Sequence, residues 1–307
     1  MHALKNKVNF SDVLLYTILR TDMLTKHDVN NICKEYGFSD SAVSFFSNAA
    51  DIVCSHPECT DNFKLAINAI THCNDNFDIV EPYLNKVSEI AGINRRGIDM
   101  LFRLMTTDDV ISIYTNSGIP LSIVQDTVSS NIIGELEENR RVYGDWGTFV
   151  LWFHTRTYEK KLFKLGRLQF EITDNPEKFF CHIISFLPFS IEMVMDSLNN
   201  AYAFFGFSGT GKKIRFEMES WILHPAFKDI FSKESNLRKF GELFKLTEYH
   251  DTDTELWYIF WNKEDTTINE FPSETSLQKK CIEYLKSGKK LGEGTGYFYF
   301  DGNRISW

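Results

Sequence analysis

Residues 167–173 read Arg167-Leu-Gln-Phe-Glu-Ile-Thr173, and residues 214–220 read Ile214-Arg-Phe-Glu-Met-Glu-Ser220. Polar and apolar side chains alternate in both stretches, which is typical of a strand with one buried face. Less regular strand patterns occur at 178–186, 256–261 and 297–300, and helical patterns lie between the strands at 190–205, 236–246 and 275–285. This half of the chain is therefore predicted to be a mixed sheet of about four to six strands with helices.

The preceding residues have a different period. From Phe10 to about Val142 the apolar residues recur at helical spacing. Helix start signals occur at Ser11-Asp12, Thr25, Ser39-Asp40, Thr60-Asp61 and Asp108-Asp109, with stop signals at Gly37, Gly92 and Gly118. We expect about six or seven short helices, followed by one more over 149–165. The predicted fold class is α+β, with an all-α helical domain at 1–135 and a mixed α/β sheet domain at 136–307.

Composition separates the same two halves of this 307-residue chain. Residues 1–145 contain 7 Phe, 5 Tyr and no Trp, whereas 146–307 contain 20 Phe, 7 Tyr and all 6 Trp. We interpret the later aromatic residues as core packing beneath a sheet of short strands. The net charge of −9 lies almost wholly in the first half. Because duplex nucleic acid requires a basic face, no nucleic-acid partner is predicted.

The location predicted from the sequence is the cytoplasm. No stretch approaches the roughly 20 apolar residues that span a bilayer, so no membrane association is expected. The N-terminal residues lack the apolar core and cleavage site of a secretion signal. Six cysteines without a regular spacing suit reduced thiols better than a disulfide framework.

Two glycine-rich stretches resemble phosphate loops only in part. Gly206-Phe-Ser-Gly-Thr-Gly211-Lys212 has the spacing, but Lys213 stands where Ser or Thr holds magnesium. It also follows a helix and precedes a strand, the reverse of the usual context. Gly292-Glu-Gly294-Thr-Gly296 lies before the last predicted strand. Both are interpreted as turns, and the first still offers its lysines to an anion.

Cysteine and histidine patterns give no metal site and no nucleophile. Cys54, His56 and Cys59, with His72-Cys73, match no standard zinc spacing, so no metal is predicted. Cys181 and His182 are adjacent on a predicted strand and face opposite sides. Cys181 is therefore expected in the core.

Carboxylates on the polar strand faces are candidates for acid–base chemistry. Glu217 and Glu219 share a face with Arg215, and Glu171 lies on the polar face of another strand. If these strands are neighbours, a carboxylate cluster would supply a general base. The alternative is a solvated face with ion pairs to Arg215 or Arg167. Glu219 is the best single candidate.

Four segments carry a family resemblance: Tyr158-Glu-Lys-Lys-Leu-Phe-Lys-Leu-Gly-Arg-Leu-Gln-Phe-Glu171, Glu219-Ser-Trp-Ile-Leu-His-Pro225, Ser235-Asn-Leu-Arg-Lys-Phe240 and Thr275-Ser-Leu-Gln278. Together they resemble a bacterial acyltransferase-like family in which an N-terminal helical domain precedes a GNAT-like domain. GNAT denotes the fold of acetyl-CoA-dependent N-acetyltransferases. The resemblance covers about residues 135–290 by motif, and the helical half only by its placement.

The resemblance implies a CoA-dependent acyltransferase with acetyl-CoA or another acyl-CoA as co-substrate and an amine or other small molecule as acceptor. The acyl-CoA is expected where two parallel strands separate, with its pyrophosphate on amides at a helix N-terminus. Glu219 is the predicted base and Tyr258 the predicted acid toward the departing thiolate. The matching motif positions predicted to bind the cofactor are Ser220, Trp221, Asn236, Arg238 and Gln278.

Two departures from the family pattern leave alternatives open. The family often carries His where this chain has Glu219, and the usual Gly-containing pyrophosphate run is missing. One alternative is a non-catalytic GNAT-like binding protein that has lost acyl-CoA binding. The other is an interaction module whose acidic helical half docks a basic partner.

Overall fold

A computed structural model describes residues 26–70, 77–130, 132–148, 152–185, 187–253, 256–261 and 266–307. The chain divides into two compact units between Lys164 and Leu165. The first unit is helical and the second contains most of a mixed sheet, so the predicted α+β class is confirmed. The domain limits of 1–135 and 136–307 stay a prediction.

Short helices fill the first unit. Their bounds are α1 Lys26–Glu35, α2 Asp40–Ser55, α3 Pro57–Ile70, α4 Glu81–Ala91, α5 Arg95–Met105, α6 Thr107–Thr115, α7 Leu121–Ser129, α8 Ile132–Tyr143 and α9 Trp152–Tyr158. A 3-10 turn, Phe77–Ile79, precedes α4. The described residues up to Tyr143 thus hold eight α-helices rather than six or seven. Breaks of one residue, such as Thr106 between α5 and α6, account for the excess.

Several sequence signals mark helix ends as expected. The Ser39 side chain accepts a hydrogen bond from the Ala42 amide at the start of α2, which is an N-cap. Gly92 ends α4 in the left-handed region, with φ of 65°. Thr60-Asp61 lies inside α3, so that start signal is wrong. Ser11-Asp12 and Thr25 lie outside the described residues.

The sheet has seven described strands in the order β1-β2-β3-β4-β6-β5, with β7 paired to β6. Their bounds are β1 Leu162–Leu165, β2 Leu168–Ile172, β3 Lys178–Ile183, β4 Ile214–Ser220, β5 Lys245–Asp251, β6 Gly292–Phe300 and β7 Ile305–Ser306. β3 and β4 run parallel. The β2–β3, β4–β6, β5–β6 and β6–β7 pairs are antiparallel.

The helices of the second unit are α10 Ile191–Phe204, α11 Phe227–Ile230, α12 Asn236–Gly241, α13 Leu256–Phe260 and α14 Ser276–Lys286, with a 3-10 turn at Trp221–Leu223. α10 connects β3 to β4. Phe179 on β3 stacks against Phe205 just after α10, with ring centroids 4.1 Å apart. Phe170, Phe216 and Phe298 are fully buried on the same apolar sheet face. The aromatic excess of this half is thus core packing, as predicted.

Three segments differ from their predicted structure. Leu256–Phe260 is a helix, not a strand, because Leu256, Ile259 and Phe260 are buried at helical spacing. The helix predicted over 236–246 ends at Gly241, and residues 245–251 form the edge strand β5. The predicted helix over 149–165 gives way to strand β1 at Leu162.

The glycines of β6 allow neighbouring backbone to approach this strand closely. Gly292, Gly294 and Gly296 lie within this strand, so the turn predicted at 292–296 is wrong. A Cβ on Gly294 would lie 2.9 Å from the Leu223 carbonyl oxygen. A Cβ on Gly292 would overlap the His250 carbonyl. These positions hold glycine because any side chain would push the neighbouring backbone away.

The predicted turn at 206–213 is confirmed. Gly206, Gly209 and Gly211 all have positive φ and join α10 to β4. Lys212 pairs with Glu177, and Lys213 donates to the Ser306 hydroxyl. In the described parts of the chain, no helix has the length and apolar character needed to cross a bilayer.

Candidate functional site

The parallel strands β3 and β4 separate partway along their length. They pair at Lys178–Arg215, Phe179–Phe216 and Phe180–Glu217. Beyond these pairs β3 continues beside β2 to Ile183, and β4 continues beside β6 to Ser220. Ligands of open sheets bind outside the carboxyl ends of the strands, at such a change of neighbour. We call the opening between residues 181–183 and 218–220 the β3–β4 crevice.

Two polar side chains flank this crevice on one face of the sheet. His182 and Glu219 each lie two residues beyond the last pair, Phe180–Glu217, so alternation puts them at the same level. Cys181 and Met218 point to the other face and are buried. Cys181 is thus in the core, as predicted. Burial raises the pKa of its thiol far above the usual range, which excludes a reactive thiolate.

His182 is held by a carboxylate. Its Nε2 lies 3.1 Å from Oε2 of Glu171 on the neighbouring strand β2. The Glu171 side chain is 11% exposed and that of His182 is 24% exposed. Since His182 pairs with Gln169, Glu171 is its diagonal neighbour on the same face. The imidazole is therefore oriented by a mostly buried carboxylate while part of its surface reaches solvent.

Glu217, the other buried carboxylate of this face, has a structural role. Its carboxylate forms ion pairs with Lys178 and with Arg215. The Arg215 guanidinium also lies over the Tyr297 ring, 4.0 Å from its centroid. The ion pair with Arg215 that the sequence allowed is thus formed at Glu217.

α10 is the next helix after β3, and residues 184–190 connect the two. The Ser190 hydroxyl accepts from the Met193 amide, which caps the helix. The Glu192 carboxylate lies at the same end, where bonds from its own amide and the Ser190 hydroxyl lower its pKa. Orphan amides and the helix dipole favour an anion at this position. The end of α10 therefore fits a phosphate group, with Glu192 as the competing anion.

The segment before α10 is held through its carbonyl oxygens. Arg167 Nε donates to Pro188 O at 2.6 Å, and Arg167 Nη2 donates to Ile184 O at 2.6 Å and Leu187 O at 3.2 Å. Burial lowers the pKa of Arg167 to about 10, which leaves it a cation at neutral pH. Asn236 Nδ2 donates to the next carbonyl, Phe189 O, at 2.8 Å.

The two predicted catalytic residues lie on different elements. Glu219 is exposed at the crevice on β4, opposite Thr295 of β6. Tyr258 lies on helix α13, not on a strand, and its ring contacts those of Trp257 and Trp261. Their catalytic roles remain predictions.

Four of the five residues predicted to bind cofactor use polar side-chain atoms within the protein, and the fifth, Trp221, packs through its ring. Ser220 caps the 3-10 turn at Trp221–Leu223, and Trp221 packs on Phe227 with ring centroids 4.9 Å apart. Gln278 forms the capping box of α14 and donates to Ile259 O. Arg238 Nη1 donates to Lys228 O at 2.7 Å, and Asn236 holds Phe189 O. Cofactor contacts by these side chains stay a prediction.

A separate cavity of about 340 Å³ lies beside α11, α12 and the start of β5. Its lining is Ile222, Leu223, His224, Phe227, Lys228, Phe231, Arg238, Gly241, Glu242, Phe244, Lys245, Leu246 and Trp307. Buried His224 lies there, with Nε2 3.3 Å from Asp251 Oδ1. Among the residues that the structure describes, no cluster of three or more His, Cys, Asp or Glu is placed to hold a metal. His72-Cys73 lie outside them.

The sequence alone does not indicate that Glu171 and His182 are in contact. The two residues come together because β2 and β3 form an antiparallel pair, which places the polar positions of both strands on one face. Arg167 was considered only as an ion-pair partner. Its contacts are with the carbonyl oxygens of Ile184, Leu187 and Pro188, and no local sequence signal indicates where these carbonyls point.

Comparison with known proteins supports the fold. Residues 162–298 match the model of the GNAT-like C-terminal domain. No curated protein matches the sequence. An acyltransferase mutant in complex with octanoyl-CoA superposes with a TM-score of 0.73 at 18% identity, covering 96% of each chain. An acyltransferase in complex with decanoyl-CoA and teicoplanin superposes with a TM-score of 0.70 at 19% identity, covering 90% of this chain and 88% of that one.

A third structure, an acyltransferase in complex with CoA and 10C-teicoplanin, superposes with a TM-score of 0.63 at 18% identity. It covers 88% of this chain and 98% of its own. At these identities the likeness establishes the fold, including the helical part before the sheet. Residues 162–298 of this chain are therefore a GNAT-like C-terminal domain, preceded by a helical N-terminal part as in these acyltransferases.

Proposed function

We propose that this protein is a CoA-dependent acyltransferase that binds its acyl-CoA in the β3–β4 crevice. The observation that carries the proposal is the parallel pair that separates after Phe180–Glu217, with residues 184–190 connecting β3 to the N-terminus of α10. A crevice between separating parallel strands can take an extended chain, and a helix N-terminus can take a phosphate. The acyltransferases of similar fold, solved with octanoyl-CoA and decanoyl-CoA, support the same donor class.

The transfer we propose is direct. The acceptor nitrogen attacks the thioester carbonyl, a C–N bond forms, the C–S bond breaks, and CoA leaves as a thiolate. The proton lost by the nitrogen passes to His182, and the thiolate then takes up one proton. Imidazole is the commonest general base in proteins. The Glu171 carboxylate orients the ring and stabilises the imidazolium formed when the proton arrives.

Glu219 is the competing candidate for the base. It lies two residues beyond Phe180–Glu217 on β4, at the same level of the sheet as His182 on β3. We favour His182 because it has an oriented partner, while Glu219 is exposed. Tyr258 as proton donor to the thiolate stays a separate prediction. Single variants at each position distinguish these roles.

The acceptor is proposed to be an amine. Two of the structures of similar fold contain teicoplanin or 10C-teicoplanin, so teicoplanin is the first acceptor to test. We also propose a cytoplasmic location. Among the described residues, Cys33, Cys59, Cys181 and Cys281 are free thiols, which suits a reducing compartment.

Isothermal titration of the full chain with acetyl-CoA, octanoyl-CoA and decanoyl-CoA tests the donor class. We expect saturable one-site binding of at least one of them, and release of free CoA when an acceptor amine is present. Absence of heat with all three donors would contradict the proposal. It would instead favour a GNAT-like binding protein that has lost its donor.

A further inference from the structure

The segment between β3 and α10 contains no glycine. Residues 184–190 read Ile-Ser-Phe-Leu-Pro-Phe-Ser. A glycine-rich loop can turn its amides toward a phosphate because its backbone has few steric limits. A segment with side chains at every position needs another means of fixing its peptide planes.

Arg167 supplies such a means. It is 8% exposed, and its fork of donors reaches the carbonyl oxygens of Ile184, Leu187 and Pro188. Its guanidinium also lies over the Phe189 ring, 5.0 Å from the centroid. The planar guanidinium with donors in fixed directions suits several simultaneous bonds. The Arg167 amide donates to Ser197 Oγ of α10 at 2.7 Å, which fixes the start of β2 to that helix.

These bonds determine where the amides point. In a trans peptide the N–H points away from the C=O of the same unit. Pro188 O is held by Arg167 and Phe189 O is held by Asn236. The amides of Phe189 and Ser190 therefore point away from both side chains. In the described part of the chain, these two amides have no backbone acceptor.

We propose that Arg167, assisted by Asn236, is the positioning residue that presents the amides at the start of α10 to the pyrophosphate of acyl-CoA, in the place of a glycine-rich loop. The inference rests on the proposed function, since it assumes that acyl-CoA binds in the β3–β4 crevice. It also assigns Asn236 a contact with the protein, Phe189 O, rather than with the cofactor itself.

Titration of the full chain with CoA and with pantetheine, which lacks the pyrophosphate, tests this role. Arg167→Gln removes the positive charge and most of the N–H donors of the guanidinium. We expect it to weaken CoA binding about tenfold or more, the size of several lost bonds from a charged donor. Pantetheine affinity is expected to stay within about twofold, because the crevice itself is intact.

A matched control is Ser197→Ala, which removes the acceptor of the Arg167 amide but leaves the three carbonyl bonds in place. We expect its CoA affinity to remain within about twofold even where thermal unfolding shows a loss of stability. Asn236→Ala changes an exposed side chain and tests the same loop if Arg167→Gln does not fold. It is expected to weaken CoA binding about threefold.

Equal losses for CoA and pantetheine in Arg167→Gln, or unchanged CoA affinity in both loop variants, would overturn the inference. Failure of the wild-type chain to bind CoA at all is a different result. It would remove the proposed function itself and, with it, the ligand of this loop.

Discussion

His182 Nε2 and Glu171 Oε2 lie 3.1 Å apart on adjacent antiparallel strands, at the level where β3 leaves its parallel neighbour β4. A histidine–carboxylate pair at the mouth of a crevice is suited to move one proton per turnover. The ion pairs of Glu217 with Lys178 and Arg215 lie on the same sheet face, within the stretch where β3 and β4 are still paired. His182 and Glu171 differ from these ion pairs in position, because His182 lies beyond Phe180–Glu217, where β3 and β4 are no longer paired.

Replacing His182 tests its role as base. We expect His182→Ala to lower kcat by about 10²–10⁴-fold, the range for loss of a general base, while affinity for acyl-CoA changes little. Exposed His250 on β5 provides a matched control, and His250→Ala is expected to keep full activity. Steady-state rates of CoA release measure both. An active His182→Ala together with an inactive Glu219→Gln would transfer the role to Glu219.

Glu192 is expected to hinder donor binding. Its carboxylate accepts from its own amide at the start of α10, and these bonds lower its pKa, so it is an anion at neutral pH. Glu192→Gln removes that charge from the helix end and should lower the Kd for acyl-CoA by a few-fold. Glu234→Gln, an exposed change of the same kind, should leave the Kd unchanged. Weaker binding by the Glu192 variant would show that the carboxylate assists the site.

The first unit contains a buried histidine that predicts acid sensitivity. His154 is 6% exposed, its Nε2 lies 2.7 Å from Thr106 Oγ1, and burial lowers its pKa to about 3. The unfolded chain binds a proton near the ordinary pKa of about 6.5. The folded state therefore loses up to about 1.4 kcal/mol of stability per pH unit as the pH falls below that value.

Urea unfolding between pH 7 and pH 4.5 measures this slope, and His154→Gln should flatten it. Asp99 acts in the opposite direction, since burial raises its pKa to about 6, and stability from its protonated form is lost as the pH rises from about 3.8 through 6. The difference between wild type and His154→Gln removes the Asp99 contribution. Equal slopes in the two proteins would show that His154 is not kept neutral by the fold.

The close approach at β6 predicts a steric cost. Gly294→Ala places a Cβ 2.9 Å from both Leu223 O and Leu246 Cδ1, and we expect a loss of about 1–3 kcal/mol in the free energy of unfolding. The neighbouring Glu293 points to the other face, so Glu293→Ala should cost much less. Denaturant titration of both variants gives the comparison. Equal stability of the Gly294 variant and wild type would contradict the packing described for the Trp221–Leu223 turn.

Strands with one buried face can be predicted from the sequence because their polar and apolar side chains alternate. Alternation at 214–220 gives β4 with its bounds, and at 167–173 gives β2 to within a residue. The edge strand β5 is not predicted from the sequence because its residues are nearly all exposed, so no apolar alternation marks it. The sequence predicts a strand at Leu256–Phe260 because a short apolar run has no clear period. The burial of Leu256, Ile259 and Phe260 in the structure identifies a helix.

The types of element that form the candidate site could be predicted, but the contacts between its residues could not. Parallel strands and a helix N-terminus follow from the resemblance, and Glu219 does lie at the crevice. The pairing of His182 with Glu171 depends on the register of β2 and β3, which sets cross-strand neighbours that a single strand pattern does not specify. Trp221 lies just beyond the end of β4, where it begins the 3-10 turn and packs its ring on Phe227, and no strand pattern indicates this position.

A crystal structure of the full chain with octanoyl-CoA tests the central claim most directly. The account predicts the pantetheine chain between residues 181–183 of β3 and 218–220 of β4, the pyrophosphate at the amides that begin α10, and the thioester carbonyl on the side of His182. An acyl-CoA bound elsewhere, such as in the cavity lined by His224 and Trp307, with the β3–β4 crevice closed by side chains, would contradict it.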